Sequence, residues 1–252
     1  MAPFLVSLIG QRWRQALEGL LVLSMTVLTV TLTWKLMSVR TVEPNVVRPA
    51  TTKSSKPAPA PMPKQPVSLD GAILIGNADA KIAVIEYSDV QCPYCGAFAR
   101  DVFPDFEQQF IETGKVILAF RHFPLEQLHP LAKGGASAIE CAAQQNKAWP
   151  MHDRLFADQR RLDGKAILAT AGSLGPEDKR FASCMSSTKV SAKIAADIAT
   201  GRVLGVTGTP TFFLGTRQPD GTVRLVERVV GAAPISQWQL LVNKWSAESG
   251  SK

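Results

Sequence analysis

The sequence predicts an α/β fold with a helical insertion, preceded by one N-terminal membrane-spanning helix. Three observations carry this. An apolar run, Ile82 to Tyr87, leads into Cys92-Pro93-Tyr94-Cys95 and then into a helical pattern. The stretch from His129 to about Gly205 shows helical segments and no convincing strand. Near the N-terminus, Gly19 to Trp34 is uncharged and rich in Leu, Val and Thr.

The N-terminal segment comes first. Extending the uncharged run to Val39, with Lys35 snorkelling outward, reaches the ~20 residues that span a bilayer as a helix. Trp13 and Trp34 stand near its ends, where interfacial aromatics belong. Arg12 and Arg14 precede it and favour an inside N-terminus; Lys35 and Arg40 follow it and weaken that orientation. We expect a cytoplasmic N-terminus over 1–16 and an uncleaved signal-anchor over 17–39. A cleaved signal peptide is the alternative, but no good small-x-small site follows the run. Either reading exports the rest of the chain, which places it on the periplasmic side of a bacterial cell membrane.

Residues Thr41 to Pro66 hold seven prolines among Ala, Lys, Ser and Thr. Such a segment is a semi-extended linker, expected over 40–67. The net charge of +7 belongs mostly to this end of the chain. Residues 1–66 hold eight Lys/Arg against two Asp/Glu, and residues 67–252 hold twenty against nineteen. The folded part is nearly neutral, so nothing in it asks for nucleic acid.

The folded part is expected over 68–252. Ile73-Leu74-Ile75 reads as a short strand and Ile82 to Tyr87 as a buried one. Phe98, Val102, Phe106 and Phe110 recur every four residues on one helix face. That helix runs from about Pro93 to Glu112, with a kink expected near Pro104. Val116 to Phe123 is a third strand, and the β-α-β order makes it parallel to the second. The insertion, about 128–205, is expected to break at Gly134-Gly135, Trp149-Pro150, Gly164, Gly175-Pro176 and Gly201. Thr211 to Leu214 and Val223 to Val230 form a hairpin about Pro219-Asp220-Gly221. Ile235 to Trp245 closes as an amphipathic helix. A β-α-β unit, a helical insert and a β-β-α unit, with Cys-x-x-Cys at the first helix, is the thioredoxin plan.

The motifs then narrow the reading. Glu86 to Cys95 resembles the strand-to-active-site segment of exported, DsbA-like thiol–disulfide oxidoreductases. The resemblance covers roughly residues 70 to 245. It extends to Phe120-Arg121-His122-Phe123-Pro124, His129-Pro130-Leu131-Ala132, Trp149 to Phe156 and Gly208-Thr209-Pro210-Thr211-Phe212-Phe213. It implies a thioredoxin fold with a helical insertion and a cis-proline at Pro210 facing the cysteine pair. About one X–Pro bond in twenty is cis in folded proteins, so the cis assignment rests on the resemblance. Thr209, with Pro93 and Tyr94 beside the sulfurs, would then meet an extended substrate chain. The membrane anchor and linker are not part of the resemblance.

Cys92 stands at a helix start, where unpaired N–H groups and the macrodipole favour negative charge. Two cysteines three apart there can bridge, with only the first exposed. Cys92 is therefore the attacking or attacked sulfur and Cys95 resolves the mixed disulfide. Thiols in such motifs fall to roughly 3.5–7.5, a range established on relatives. Tyr94 stands where the best-known oxidases carry a histidine. A phenol cannot stabilise the thiolate at neutral pH as an imidazolium does, so we expect a weaker oxidant. Glu86, six residues before Cys92, should have a raised pKa on a buried strand and exchange a proton with Cys95. The plainer reading is a carboxylate at a strand end facing solvent.

Cys141 and Cys184 lie in the insert, and in an exported chain two such cysteines pair. Two buried thiols acting as small hydrophobes are the alternative. A zinc site joining all four cysteines is not expected, nor any other metal or cofactor. His122, His129 and His152 match family positions and read as structural histidines. Gly205 to Gly208 lacks the Lys and Ser/Thr of a phosphate loop. The expected activity is disulfide exchange with unfolded or reduced exported proteins, most simply as an oxidase recharged by a membrane redox partner. An isomerase or reductase, and a non-catalytic module with structural disulfides, are the rivals.

Overall fold

The computed structural model describes residues 61–175 and 178–250, together with Trp34. The expected cytoplasmic N-terminus, the rest of the membrane span and most of the linker lie outside the described residues. No described helix is long and apolar enough to cross a membrane.

Five strands form one mixed sheet: β1 (Ile73–Ile75), β2 (Ile82–Ser88), β3 (Val116–His122), β4 (Thr211–Arg217) and β5 (Val223–Val230), in the order β1-β3-β2-β4-β5. The central strand β2 runs parallel to β3 and antiparallel to β4, with Glu86 opposite Phe120 on one side and Phe212 on the other. β2 and β3 are buried along their whole length, as strands covered on both faces must be. Val67, expected as the last linker residue, instead bridges to Val223 by two backbone hydrogen bonds of 2.9 and 2.8 Å. Its apolar side chain packs against the core beside Met62, so the domain begins before Ser68.

Alternate residues of β2 serve two cores. Ile82 and Val84 face Phe98, Phe106, Phe212 and Trp238. Ala83, Ile85 and Tyr87 face Phe123, Leu204 and Phe213 on the other side. Glu86 and Ser88 follow Ile82 and Val84 in the two-residue alternation, so they point toward the cysteine helix.

That helix starts as α1 (Pro93–Ala97), widens into a π turn (Phe98–Val102), continues as α2 (Phe103–Phe106) and widens again (Glu107–Ile111). The expected kink near Pro104 is thus taken up by widened turns. Val102 departs from helical backbone at φ −123°, just before the Phe103-Pro104 step, where proline restricts and withholds a donor.

The insertion forms five helices: α3 (Ala132–Ala143), α4 (Ala148–Ala157), α5 (Gly164–Leu174), α6 (Asp178–Met185) and α7 (Thr188–Val203). Two expected breaks are absent and a third is displaced: the gap between α3 and α4 falls at 144–147, and Trp149-Pro150 lies in the first turn of α4. α3 runs through Gly134-Gly135 and α7 through Gly201. A Cβ at Gly135 would stand 2.6 Å from Val90, and one at Gly201 would stand 2.8 Å from the Phe123 ring. These glycines admit neighbours and do not end helices. Gly175 does end α5, in the left-handed conformation at φ +78°. The closing helix α8 (Ile235–Gly250) runs past the expected Trp245.

The insertion joins the sheet through a buried charge cluster. Arg121 of β3 meets Asp197 of α7 at 2.7 Å, and His122 N donates to the other Asp197 oxygen at 3.1 Å. Lys193 pairs with Asp197 and, at 3.4 Å, with Glu140 of α3, which also meets His122 Nε2 at 3.1 Å. The two cations and two carboxylates balance, as burial requires. Cys141 on α3 and Cys184 on α6 form a disulfide with a Cα separation of 5.7 Å.

Candidate active site

Strand β2 ends at Ser88, and a short turn delivers Cys92 to the start of α1. Pro93 takes the first helical position, where its missing N–H costs nothing. Cys92 and Cys95 are both free thiols. The expectation that the first alone is exposed is corrected in degree: Cys92 keeps only 4 % of its surface and Cys95 none. The Thr209-Pro210 segment covers Cys92, whose Sγ donates to the Thr209 carbonyl at 3.3 Å. The Thr209–Pro210 bond is cis. Tyr94 is 67 % exposed on the rim. The structure therefore gathers Cys92, Cys95, Pro93, Tyr94, Thr209 and Pro210 at one place, with Glu86 on the strand behind them.

The two thiols are driven apart. The Cys95 thiol hydrogen-bonds Cys92 and is the leading cause that lowers Cys92 to about 5, against burial, which raises it. Thr209 and the backbone N–H groups of Cys95 and Tyr94 add to the lowering. The helix start thus contributes, but less than the neighbouring thiol. The Thr209 hydroxyl is buried without another partner, free to serve that sulfur. Cys95 is pushed well above its ordinary value by burial and by Cys92. Burial also raises Glu86 to about 7, against a smaller opposing effect of Ser88. Ser88 is a hydrogen-bond partner of both Glu86 and Cys95, so a hydroxyl links an acid near neutrality to a thiol of high pKa, an arrangement that suits proton transfer. The solvent-facing alternative for Glu86 does not hold, since it is 2 % exposed.

Several residues at the site were not singled out from the sequence. Asp89 is buried, and its Oδ1 accepts the N–H groups of Gln91 at 2.7 Å and Cys92 at 3.2 Å. A short polar residue closing a turn before Cys-x-x-Cys was the available signal. Gln159, beyond α4, donates to the carbonyls of Val90 and Cys92, both at 2.8 Å. Arg100 holds Gln159 Oε1 at 3.1 Å and the Phe156 carbonyl at 2.9 Å. Nothing in local sequence pairs a glutamine 67 positions away with this turn. His129 meets Asp89 Oδ2 at 2.9 Å, His122 belongs to the charge cluster, and His152 is buried among Phe103, Phe120, Trp149 and Phe156.

A cysteine pair of split acidity beside such a loop defines the thioredoxin-fold thiol–disulfide oxidoreductases. The chain belongs to the thioredoxin family, whose model matches residues 68–227, over half of its length. Among solved structures, alpha-DsbA1 of Wolbachia pipientis shares 23 % identity and a TM-score of 0.62, covering 73 % of this chain and 94 % of that one. Bacillus subtilis BdbD in its oxidised form shares 18 % identity and a TM-score of 0.63, covering 75 % and 100 %. Pseudomonas aeruginosa DsbA2 shares 25 % identity and a TM-score of 0.53, covering 68 % and 92 %. Among curated proteins, Na(+)/H(+) antiporter NhaA 3 of Salinispora tropica is 35 % identical over 156 residues, 62 % of this chain and 23 % of the antiporter. The chain spans about a quarter of the length of the curated relatives it matches.

Proposed function

We propose that this protein is an extracytoplasmic thiol–disulfide oxidoreductase that introduces disulfides into exported proteins. The observation that carries the reading is the split between Cys92, lowered to about 5, and Cys95, raised well above its ordinary value, on one helix start. A low leaving-group pKa stabilises the reduced pair and makes the disulfide form an oxidant.

The steps follow from that split. A substrate thiolate attacks Cys92 Sγ of the disulfide form. The Cys92–Cys95 bond breaks, and Cys95 leaves as a thiolate and takes a proton from Glu86. A second substrate thiolate attacks the substrate sulfur held by Cys92, and Cys92 leaves as a stable thiolate. Two substrate thiols become one disulfide; of their two protons one restores Glu86, whose own proton now rests on Cys95, and the other goes to solvent. Thr209 and Pro210, with Pro93 and Tyr94, line the approach of an extended chain to Cys92. The Cys141–Cys184 disulfide is structural and takes no part. A membrane redox partner reoxidises the pair.

The proposal includes an organisation: residues 1–16 cytoplasmic, 17–39 a single-pass anchor, 40–67 a spacer, and the catalytic domain on the periplasmic side. Sodium–proton exchange is a property of the longer relatives and is not carried over.

Alkylation of thiols in intact cells tests the reading. Cys92 and Cys95 are expected mostly oxidised. A mostly reduced pair supports an isomerase or reductase instead, and a pair that dithiothreitol cannot open, with a potential below about −300 mV, supports a structural bridge. Redox titration against glutathione should further place the wild type below its Tyr94→His variant in oxidising strength.

A further inference from the structure

Four N–H groups converge on one buried carboxylate. Asp89 Oδ1 accepts from Gln91 N at 2.7 Å and Cys92 N at 3.2 Å. Asp89 Oδ2 accepts from Leu125 N at 2.8 Å and meets His129 Nδ1 at 2.9 Å. An ionised carboxylate only accepts, so Nδ1 carries the proton in this contact. A further tie runs from Leu131 N to Gln91 Oε1 at 2.8 Å. The loop between β3 and α3 is thus stitched to the Cys92 turn at Leu125, His129 and Leu131.

The placement has an electrostatic sense. Only three covalent bonds separate the Cys92 nitrogen from Sγ, so the carboxylate stands close to the nucleophile. A negative charge there opposes a thiolate. The imidazole N–H draws on the same carboxylate and weakens that opposition. Turn closure alone does not need a charge, since Asn and Ser close such turns as well. We infer that Asp89 and His129 form a positioning pair that sets how readily Cys92 ionises, Asp89 restraining it and His129 easing the restraint. The inference rests on Cys92 being the exchanging sulfur.

The test is thiolate titration in the full-length chain by ultraviolet absorbance, with Cys92→Ser as the blank. Asp89→Asn keeps the shape and removes the charge, at the loss of the Oδ2 acceptor for Leu125 N and His129 Nδ1, and should lower the Cys92 midpoint by about one unit. His129→Ala leaves Asp89 uncompensated and should raise it by a similar amount. In the Asp89→Asn background, His129→Ala should add little. If the ties were merely structural, both single variants would loosen the turn and shift the midpoint the same way. Shifts of one sign, or none, overturn the inference. Should Asp89→Asn fail to fold, His129→Gln replaces it: a side chain that still offers an N–H should recover most of the His129→Ala shift. Equal shifts in the two His129 variants overturn the pair. Titration needs no substrate, so the outcomes separate. A chain that titrates as described but exchanges no disulfide refutes the functional reading, whereas intact exchange with unmoved midpoints refutes the pair alone.

Discussion

Glu86 combines two costs in one side chain. Burial raises its carboxyl from 4.5 to about 7. Between those values the folded chain keeps a proton that the unfolded chain has released. Stability from this group therefore falls as pH rises from 4.5 to 7, and the full penalty stands above 7. Glu86→Gln removes it. The variant should gain about 2–3 kcal/mol near pH ~8, and the gain should vanish toward pH ~4, as read by urea unfolding at both pH values. Its disulfide exchange should slow by about tenfold or more, because Cys95 loses its proton donor. A site that loses activity while the fold gains stability marks a residue kept for chemistry.

At the level of elements, α7 owes its position to a missing side chain. A Cβ at Gly201 would meet Phe123 at 2.8 Å and Tyr87 at 2.9 Å. Both rings are buried and pack edge to face with centroids 6.2 Å apart, so neither yields easily. Gly201→Ala improves helix propensity by about 1 kcal/mol, yet should cost about 1–3 kcal/mol net from overpacking, measured by chemical denaturation. The same residue shows where sequence reading stops. Strands, the cysteine helix and the hairpin are local patterns and were legible from Ile82 to Tyr87, Phe98 to Phe110 and Pro219 to Gly221. A glycine that breaks a helix and one that admits a neighbour look alike until the neighbour is known. Gln159 was invisible for the same reason: its partners are the carbonyls of Val90 and Cys92, far away in sequence. Cys92, Cys95 and Glu86 were legible because their spacing lies within one strand, a turn and the helix start that follows.

For the molecule as a whole, the Cys141–Cys184 bridge closes a span of 43 residues within the insertion. Loop closure of that length corresponds to about 4 kcal/mol of restraint on the unfolded chain. Cys141→Ala with Cys184→Ala should lose stability of that order in a denaturation experiment. The fraction that folds should keep its exchange activity, since neither sulfur lies at the Cys92 site.

The charge cluster beneath the insertion bears on how the chain comes together. Arg121 and His122 arrive on β3, Glu140 on α3, and Lys193 with Asp197 on α7. None of the four charged groups, Arg121, Glu140, Lys193 and Asp197, can leave water cheaply until the others are in place. A sheet without its insertion would leave the Arg121 guanidinium only the carbonyls of Ser68 and Asp70, and an insertion without the sheet would leave Asp197 with Lys193 but without Arg121 and the His122 N–H. The two parts should therefore share one cooperative transition, with sheet and insertion losing their structure together on denaturation.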